Sequence, residues 1–317
     1  SLADIFFDAG IDSGGMEITP IYGGGNNKVV SIQTKEGRYL AKTYFSDPSD
    51  TRNRLATEFS FLSYALNIGL ECVPKPIFCD NKKNIGLYEF VEGRKLESQE
   101  LNQQHVIETA NFIKGLNSRS DRDQTLPTAS EGCFSIKQHF AVIDNRLNRL
   151  LDLSAESELE RQMHSFVGET ENAWEKIKDD ISIKASSISE ELNADDRCIS
   201  PSDFGFHNAL LKKSGDICFI DFEYSGWDDP AKMISDFFLQ PAIPVPFEYF
   251  DDFISVSLEY SKNKAELAER AHLIFPIFKI KWCCLMLNEF LHDSAKRRQF
   301  ANPTLDPEQS KRLQLKK

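Results

Sequence analysis

The sequence predicts an α+β chain in two lobes, a small β-rich lobe over residues 1–91 and a larger, mainly helical lobe over residues 92–317. Three observations carry this. Short apolar-alternating runs separated by turn signals fill roughly the first ninety residues. After Gly93 the pattern changes to long amphipathic stretches. Near residue 200 a short polar hairpin interrupts the helices.

In chain order, "MEITPIY", "KVVSIQT" and "RYLAKTYF" read as strands, with "GGGNN" and "KEG" as the turns between them. "DPSDTRNRLATEFSFLSYALNIGL" reads as a helix, because Leu55, Phe59, Leu62 and Leu66 follow helical spacing and Asp47 or Ser49 can cap it. "KPIFCD" and "NIGLYEFVEG" form a further strand pair, with a hinge over residues 89–93. "SQELNQQHVIETANFIKGLN", "SIKQHFAVIDNRLNRLLDL" and "SELERQMHSFVGETENAWEKIKDDISIK" read as helices. Two short strands, "NALLKK" and "ICFI", follow, and the chain from Pro230 is helical again, ending in a polar, basic segment expected to fray.

The formal net charge of −12 argues against a nucleic-acid partner, which calls for a basic stripe. It is compatible with a cationic small substrate, or simply with solubility. Lysines and a proline interrupt the longest apolar window, "AHLIFPIFKIKWCCLMLNEF", so no membrane span is expected. No basic segment followed by an apolar run opens the chain. The seven cysteines are an odd count without CxxC spacing, which reads as reduced thiols in a cytoplasm.

The stretch "SPSDFGFHNALLKKSGDICFIDFEYSGWDDP" gathers Asp203, Asn208 and Asp221 around one hairpin. Carboxylates repel one another, so gathering them stabilises little unless a cation or a reaction needs them. Asp203 and Asn208 stand in the D-x-x-x-x-N spacing of kinase catalytic loops, and phosphoryl transfer needs a carboxylate near the acceptor hydroxyl plus oxygen ligands for Mg²⁺. Upstream, Gly23, Gly24 and Gly25 let backbone amides approach phosphate oxygens. Lys42 lies on a strand and Glu58 on the following helix, a pairing that can hold nucleotide phosphates. Each feature alone has a plainer reading: glycine hairpins occur without ligands, strand lysines face solvent, and Asp and Asn favour turns. Their occurrence together, in this order, points to a kinase-type site.

These residues resemble the aminoglycoside phosphotransferase and choline kinase superfamily of small-molecule kinases, and the likeness covers most of the chain. "GGGNNKVV" resembles its phosphate loop, with Asn27 at the loop asparagine; "YLAK" resembles the strand carrying Lys42; "YEFVEG" looks like the hinge that receives adenine through backbone groups of Glu89, Phe90 and Val91. "SDFGFHNALL" and "FIDFEYSGWDDPAKMISDF" resemble the catalytic loop and the metal-binding segment. The resemblance implies a protein-kinase-like bilobal fold and an ATP- and Mg²⁺-dependent transfer to a hydroxyl of a small molecule. Asp203 would act on the acceptor, Asn208 and Asp221 would hold Mg²⁺, and Lys42, positioned by Glu58, would hold the ATP phosphates. Glu223, Tyr224 and Trp227 follow Asp221 where relatives line the acceptor pocket, with Trp282 and Glu289 on a candidate far wall. Core packing competes for the aromatic residues among them.

An amino-alcohol, amino-sugar or sugar-like acceptor is expected. His207 is expected to bond backbone, and Asp236 to be structural; His139, His164 and His272 lack metal-ligand spacing and are given no role. The family usually writes His-Gly-Asp where Pro201, Ser202 and Asp203 stand here, which marks a divergent branch; "SPSDFGFHN" and "KIKWCCLMLNEF" most resemble a bacterial branch associated with surface-polysaccharide gene clusters. The missing histidine also motivates an alternative, a catalytically silent nucleotide-binding pseudokinase, against which the retained site residues speak.

Overall fold

A computed structural model describes residues 2–316 apart from 23, 48, 49, 51, 120, 121, 123, 124 and 186–189. The small lobe opens with a helix, α1 (Leu2–Asp8), where the sequence suggested only strands. At seven residues α1 is too short to show a repeat, yet it buries Ile5 and Phe6 completely. The strands β1 (Glu17–Ile21), β2 (Lys28–Gln33), β3 (Arg38–Thr43), β4 (Pro76–Asp80) and β5 (Ile85–Glu89) form an antiparallel sheet in the order β1-β2-β3-β5-β4. Successive side chains of a strand point to opposite faces. Ala41 therefore joins Ile5, Phe6, Ile32 and Leu87 in the small core against α1, while its neighbour Lys42 is buried on the other face.

That other face receives α2 (Arg54–Asn67). Its cap is Asn53, whose side chain accepts from the Ala56 amide at 3.0 Å, not Asp47; Ser49 lies outside the described residues. The buried stripe runs through Leu55, Glu58, Phe61, Leu62 and Ala65, rotated from the Leu55–Phe59–Leu62–Leu66 stripe that hydrophobicity alone picks out. The rotation places a glutamate among apolar residues, because Lys42 waits opposite it.

The larger lobe contains α3 (Gln103–Asn117), α4 (Ile136–Leu151), α5 (Glu158–Lys184), β6 (Cys198–Ser200), β7 (Ala209–Leu211), β8 (Ile217–Phe219), β9 (Gly226–Asp228), α6 (Pro230–Leu239), α7 (Phe250–Ser257), α8 (Lys264–Met286), α9 (His292–Ala301) and α10 (Pro307–Gln314). β7 and β8 form the predicted hairpin, and β6 pairs with β9, an element the sequence did not show. Aromatic residues flanking the polar positions sink into the core. Phe204 and Phe206 both meet Phe237 at 5.4 Å, and Phe219 stacks on Phe112 at 4.7 Å. Phe222 stacks on Phe61 of α2 at 4.5 Å, tying the segment after Asp221 to the helix that carries Glu58.

The basic tail folds as α9 and α10. α9 returns to the small lobe, where Phe300 packs edge-on against Phe45 at 5.5 Å and under Lys28 at 4.4 Å. Apolar and cation–π contacts with the other lobe thus replace the expected fraying.

Candidate active site

Asp203 sits in the loop after β6. The turn into it places Ser202 at φ 67°, left-handed backbone that favours glycine. The Ser202 amide donates to Ser200 Oγ at 3.0 Å and its hydroxyl oxygen accepts from Lys232 at 3.3 Å, which offsets the strain. Asn208 closes the loop: its side-chain amide donates to the Asp203 carbonyl at 2.9 Å, and its own carbonyl accepts from the Ile220 amide at 2.9 Å. One asparagine therefore links the Asp203 loop to the residue preceding Asp221. His207 departs from the sequence expectation. It meets no backbone group but the Asp203 carboxylate, Nε2 to Oδ1 at 3.2 Å, while its Nδ1 is buried without a partner. The carbonyl of His207 accepts from Lys95 Nζ at 2.6 Å.

Across the cleft, Lys42 Nζ lies 2.7 Å from Glu58 Oε2 and also donates to Asp221 Oδ1. Burial alone would favour a neutral lysine, but the two carboxylates outweigh it and hold the Lys42 pKa well above the ordinary value. Burial likewise pushes Asp221 up, and Lys42 more than reverses this, keeping Asp221 below the ordinary carboxylate value. Glu58 is fixed from two further directions. It accepts from Tyr44 OH at 2.6 Å and from the Phe222 amide at 3.3 Å, and Tyr44 in turn meets Tyr88 OH at 2.6 Å. Asp221 sits at φ 69°, the same left-handed region as Ser202. Two strained positions thus carry the two aspartate segments into one cleft.

Gly23 lies outside the described residues. A Cβ on Gly25 would fall 2.6 Å from an Arg298 guanidinium nitrogen, so α9 reaches the glycine turn directly. Gly24 is less crowded, its nearest neighbour being the Asn27 carbonyl at 3.8 Å. The Asn27 side chain is engaged within the protein: its amide donates to Glu223 Oε2 at 2.6 Å and its carbonyl oxygen accepts from the Phe45 amide at 3.3 Å. Asn26 donates to Glu223 Oε1 at 2.9 Å and to Tyr224 OH at 3.0 Å. The glycine turn is thereby latched to the segment just after Asp221. At the hinge, the Glu89 and Phe90 amides are taken by the Lys75 and Arg38 carbonyls, at 2.9 and 3.4 Å, while the Val91 amide has no hydrogen-bond partner among the described residues.

A cavity of about 980 Å³ opens beside Asp203. Glu223, Tyr224 and Trp282 line it; Trp227 and Glu289 do not. Trp227 lies on β9 under the Arg122 guanidinium at 4.8 Å, and Glu289 is buried in an ion pair with Arg298. The cavity floor rests on buried charge. Asp236 accepts from Lys281 at 3.0 Å and Trp282 at 3.2 Å, and pairs with Lys232 at 3.2 Å; Lys232 also meets Asp228 at 2.6 Å. Nearby, Asp229 caps α6 and binds His139 at 3.1 Å and Arg270 at 2.8 Å. His139, without metal-ligand spacing, is therefore a buried structural partner. Sequence reading missed Asn26, Lys95, Tyr44 and Tyr88, whose partners lie 14 to 198 positions away, and the cavity arginines, which only the fold brings to one cavity.

Among the described residues no helix is long and apolar enough to cross a membrane, and no cluster of three or more His, Cys, Asp or Glu could hold a metal ion. No curated protein sequence is similar to the chain. Solved structures are. A spectinomycin phosphotransferase crystallised with ADP and spectinomycin is 13% identical, with 99% of this chain and 96% of that one covered at a TM-score of 0.62. A choline kinase from Cryptosporidium parvum Iowa II is 15% identical, with 96% and 92% covered at a TM-score of 0.61. Choline kinase LicA from Streptococcus pneumoniae is 16% identical, with 100% and 98% covered and a TM-score of 0.57. At these identities the likeness establishes the bilobal fold. The sequence model of the phosphotransferase enzyme family matches residues 17–232, from the first strand to the start of α6, a span that includes Lys42, Glu58, Asp203, Asn208 and Asp221. On that match, this chain belongs to the phosphotransferase enzyme family.

Proposed function

We propose that the chain transfers the γ-phosphoryl group of ATP, with Mg²⁺, to a hydroxyl of a small molecule held in the cavity beside Asp203. The observation that carries this reading is Lys42, clamped between Glu58 and Asp221, across the cleft from Asp203 at the mouth of that cavity. In the reaction the acceptor oxygen bonds to the γ-phosphorus, the bond from that phosphorus to the bridging oxygen breaks, and ADP leaves. Asp203 takes the hydroxyl proton and His207 steadies its carboxylate. Lys42 supplies positive charge to the ATP phosphates, and Glu58, held by Tyr44 and the Phe222 amide, keeps it there. The free amide of Val91 is the hinge donor available to an adenine.

The donor set fits Mg²⁺. Asp221 keeps one carboxylate oxygen beyond that bonded to Lys42, and Asn208 keeps its side-chain oxygen because its amide is spent on the Asp203 carbonyl. Two protein oxygens suit an ion that takes its remaining ligands from phosphates and water. Mg²⁺ bound there supplies neutralisation of the charge on the transferring group. In this reading residues 1–91 face the nucleotide, residues 92–317 supply the catalytic loop and acceptor pocket, and seven free cysteines favour the reducing cytoplasm.

The test is steady-state and binding measurement on Asp203→Asn. We expect kcat to fall by about 10²- to 10⁴-fold, as for loss of a positioned proton acceptor, with the Kd for ATP unchanged. Full activity in this variant would remove Asp203 from the reaction.

A further inference from the structure

Resting on that reading, the composition of the cavity wall bears on what the acceptor is. Three arginines approach one side of it. Arg52 binds Asp50 through two nitrogens, at 2.7 and 2.8 Å, and Arg54, buried behind the wall, shares the same carboxylate. Both guanidinium groups stand over the Tyr224 ring, at 5.6 and 5.8 Å. The third, Arg297 of α9, bonds only the Ser294 hydroxyl among the described residues, at 3.2 Å, and its Nε is buried without a partner among them. On α4, Arg149 also lines the cavity, and its side chain makes no hydrogen bond or ion pair among the described residues.

Three of the carboxylates lining the cavity are committed to other partners. Glu131 pairs with Arg146 at 2.7 Å, Glu223 accepts from Asn26 and Asn27, and Asp236 is held by Lys232 and Lys281. Asp293, one turn before Arg297 on α9, also lines the cavity and forms no ion pair with Arg297. Burial, followed by the charges of Arg54 and Arg52, pulls the Arg297 pKa down despite the opposing pull of Tyr224 and Asp50. A half-buried guanidinium among other guanidiniums is costly in the free protein, and a ligand anion relieves that cost.

We propose that the acceptor carries, besides its hydroxyl, an anionic group of the carboxylate, sulfate or phosphate class, bound by Arg297 with Arg52 and Arg149. Arginine suits this work because its planar fork of donors matches the oxygens of such groups. A cationic amino-alcohol or amino-sugar, the acceptor that overall charge suggested, meets repulsion on this wall.

The experiment is a thermal-shift titration with inorganic sulfate, and separately inorganic phosphate, at constant ionic strength balanced by chloride. The nucleotide site is first filled with a non-hydrolysable ATP analogue and Mg²⁺, so that neither anion reports on the γ-phosphate position. Wild type is expected to show a saturable rise in Tm with both anions and none with choline or ethanolamine. Arg297→Gln and Arg149→Gln should each raise the apparent Kd for sulfate by about tenfold or more. Asp293→Asn should lower it. No saturable rise with sulfate, an equal rise in Arg297→Gln, or stabilisation by choline instead would overturn the proposal. If the analogue itself fails to bind, the ATP reading fails separately, and the sulfate titration without nucleotide still decides the anion subsite.

Discussion

Lys42 has 8% of its side chain exposed and two carboxylates on its ammonium group, so its contribution depends on what remains when it is removed. A well-packed apolar replacement of a buried pair is often tolerated, whereas removing one partner strands the other charge. We therefore expect Lys42→Met to destabilise the protein by about 3–5 kcal/mol in urea unfolding, and Lys42→Met with Glu58→Leu to recover part of that while remaining inactive. Equal stability of Lys42→Met and wild type would show that the pair carries no such load. Asp229 gives a pH-dependent counterpart. Burial raises its pKa, but His139 and Arg270 bring it down to about 2. A carboxyl depressed in the folded state stabilises above its unfolded pKa, near 4, and that stabilisation is lost as pH falls towards about 2. Asp229→Asn should therefore flatten the fall in stability between about pH 4 and 2, an effect of about 2 kcal/mol, while removing the ion pair of Arg270 with Asp229 at neutral pH. Lys42, Glu58, Asp203, Asn208 and Asp221 were legible in the sequence because their chemistry is written in residue type and order. The His207–Asp203 contact and the exposed side of Arg297 were not, since each depends on which side chains the fold brings together.

At the scale of elements, α2 and α9 show what local pattern conveys and what it omits. The sequence places α2 correctly as a helix but picks the wrong cap and the wrong face. Asn53 caps it, and the stripe turns to bury Glu58, because an ion pair with Lys42 on β3 of the same lobe outweighs the hydrophobic pattern within one helix. α9 reads as a frayed basic tail because its partners, Phe45, Lys28 and Gly25, lie more than 250 residues earlier. These contacts make α9 a strut for the glycine turn. Phe300→Ala should speed amide exchange in residues 24–27 by about tenfold or more while lowering Tm by only a few degrees, because it removes one partly buried ring from a surface seam. Uniformly unchanged exchange there would mean that α9 merely lies alongside the turn.

Across the whole molecule, the two-lobed organisation was readable from the shift in periodicity near Gly93, while net charge carries no information on the lining of the cavity. A formal charge of −12 is a sum over the whole chain, and it does not report that Arg52, Arg149 and Arg297 line the cavity. Burial also governs the thiols of both lobes. It pushes Cys72 and Cys133 up to about 11 and Cys218 and Cys284 up to about 12, and raises Cys79, Cys198 and Cys283 as well. Native protein at pH 7.5 should accordingly react with a thiol reagent far more slowly than the same protein in guanidinium, with all seven cysteines titrating only after unfolding. The central claim is that residues of both lobes assemble one Mg²⁺–ATP phosphotransfer site. It is tested most directly by incubating the protein with γ-labelled ATP, Mg²⁺ and a low-molecular-weight metabolite extract, beside Asp203→Asn and Asp221→Asn. The account predicts that wild type transfers label to a small molecule and that both variants, folded as judged by circular dichroism, do so at least about 100-fold more slowly. Transfer at equal rates by all three proteins, or none by wild type above a heat-denatured control, would contradict it.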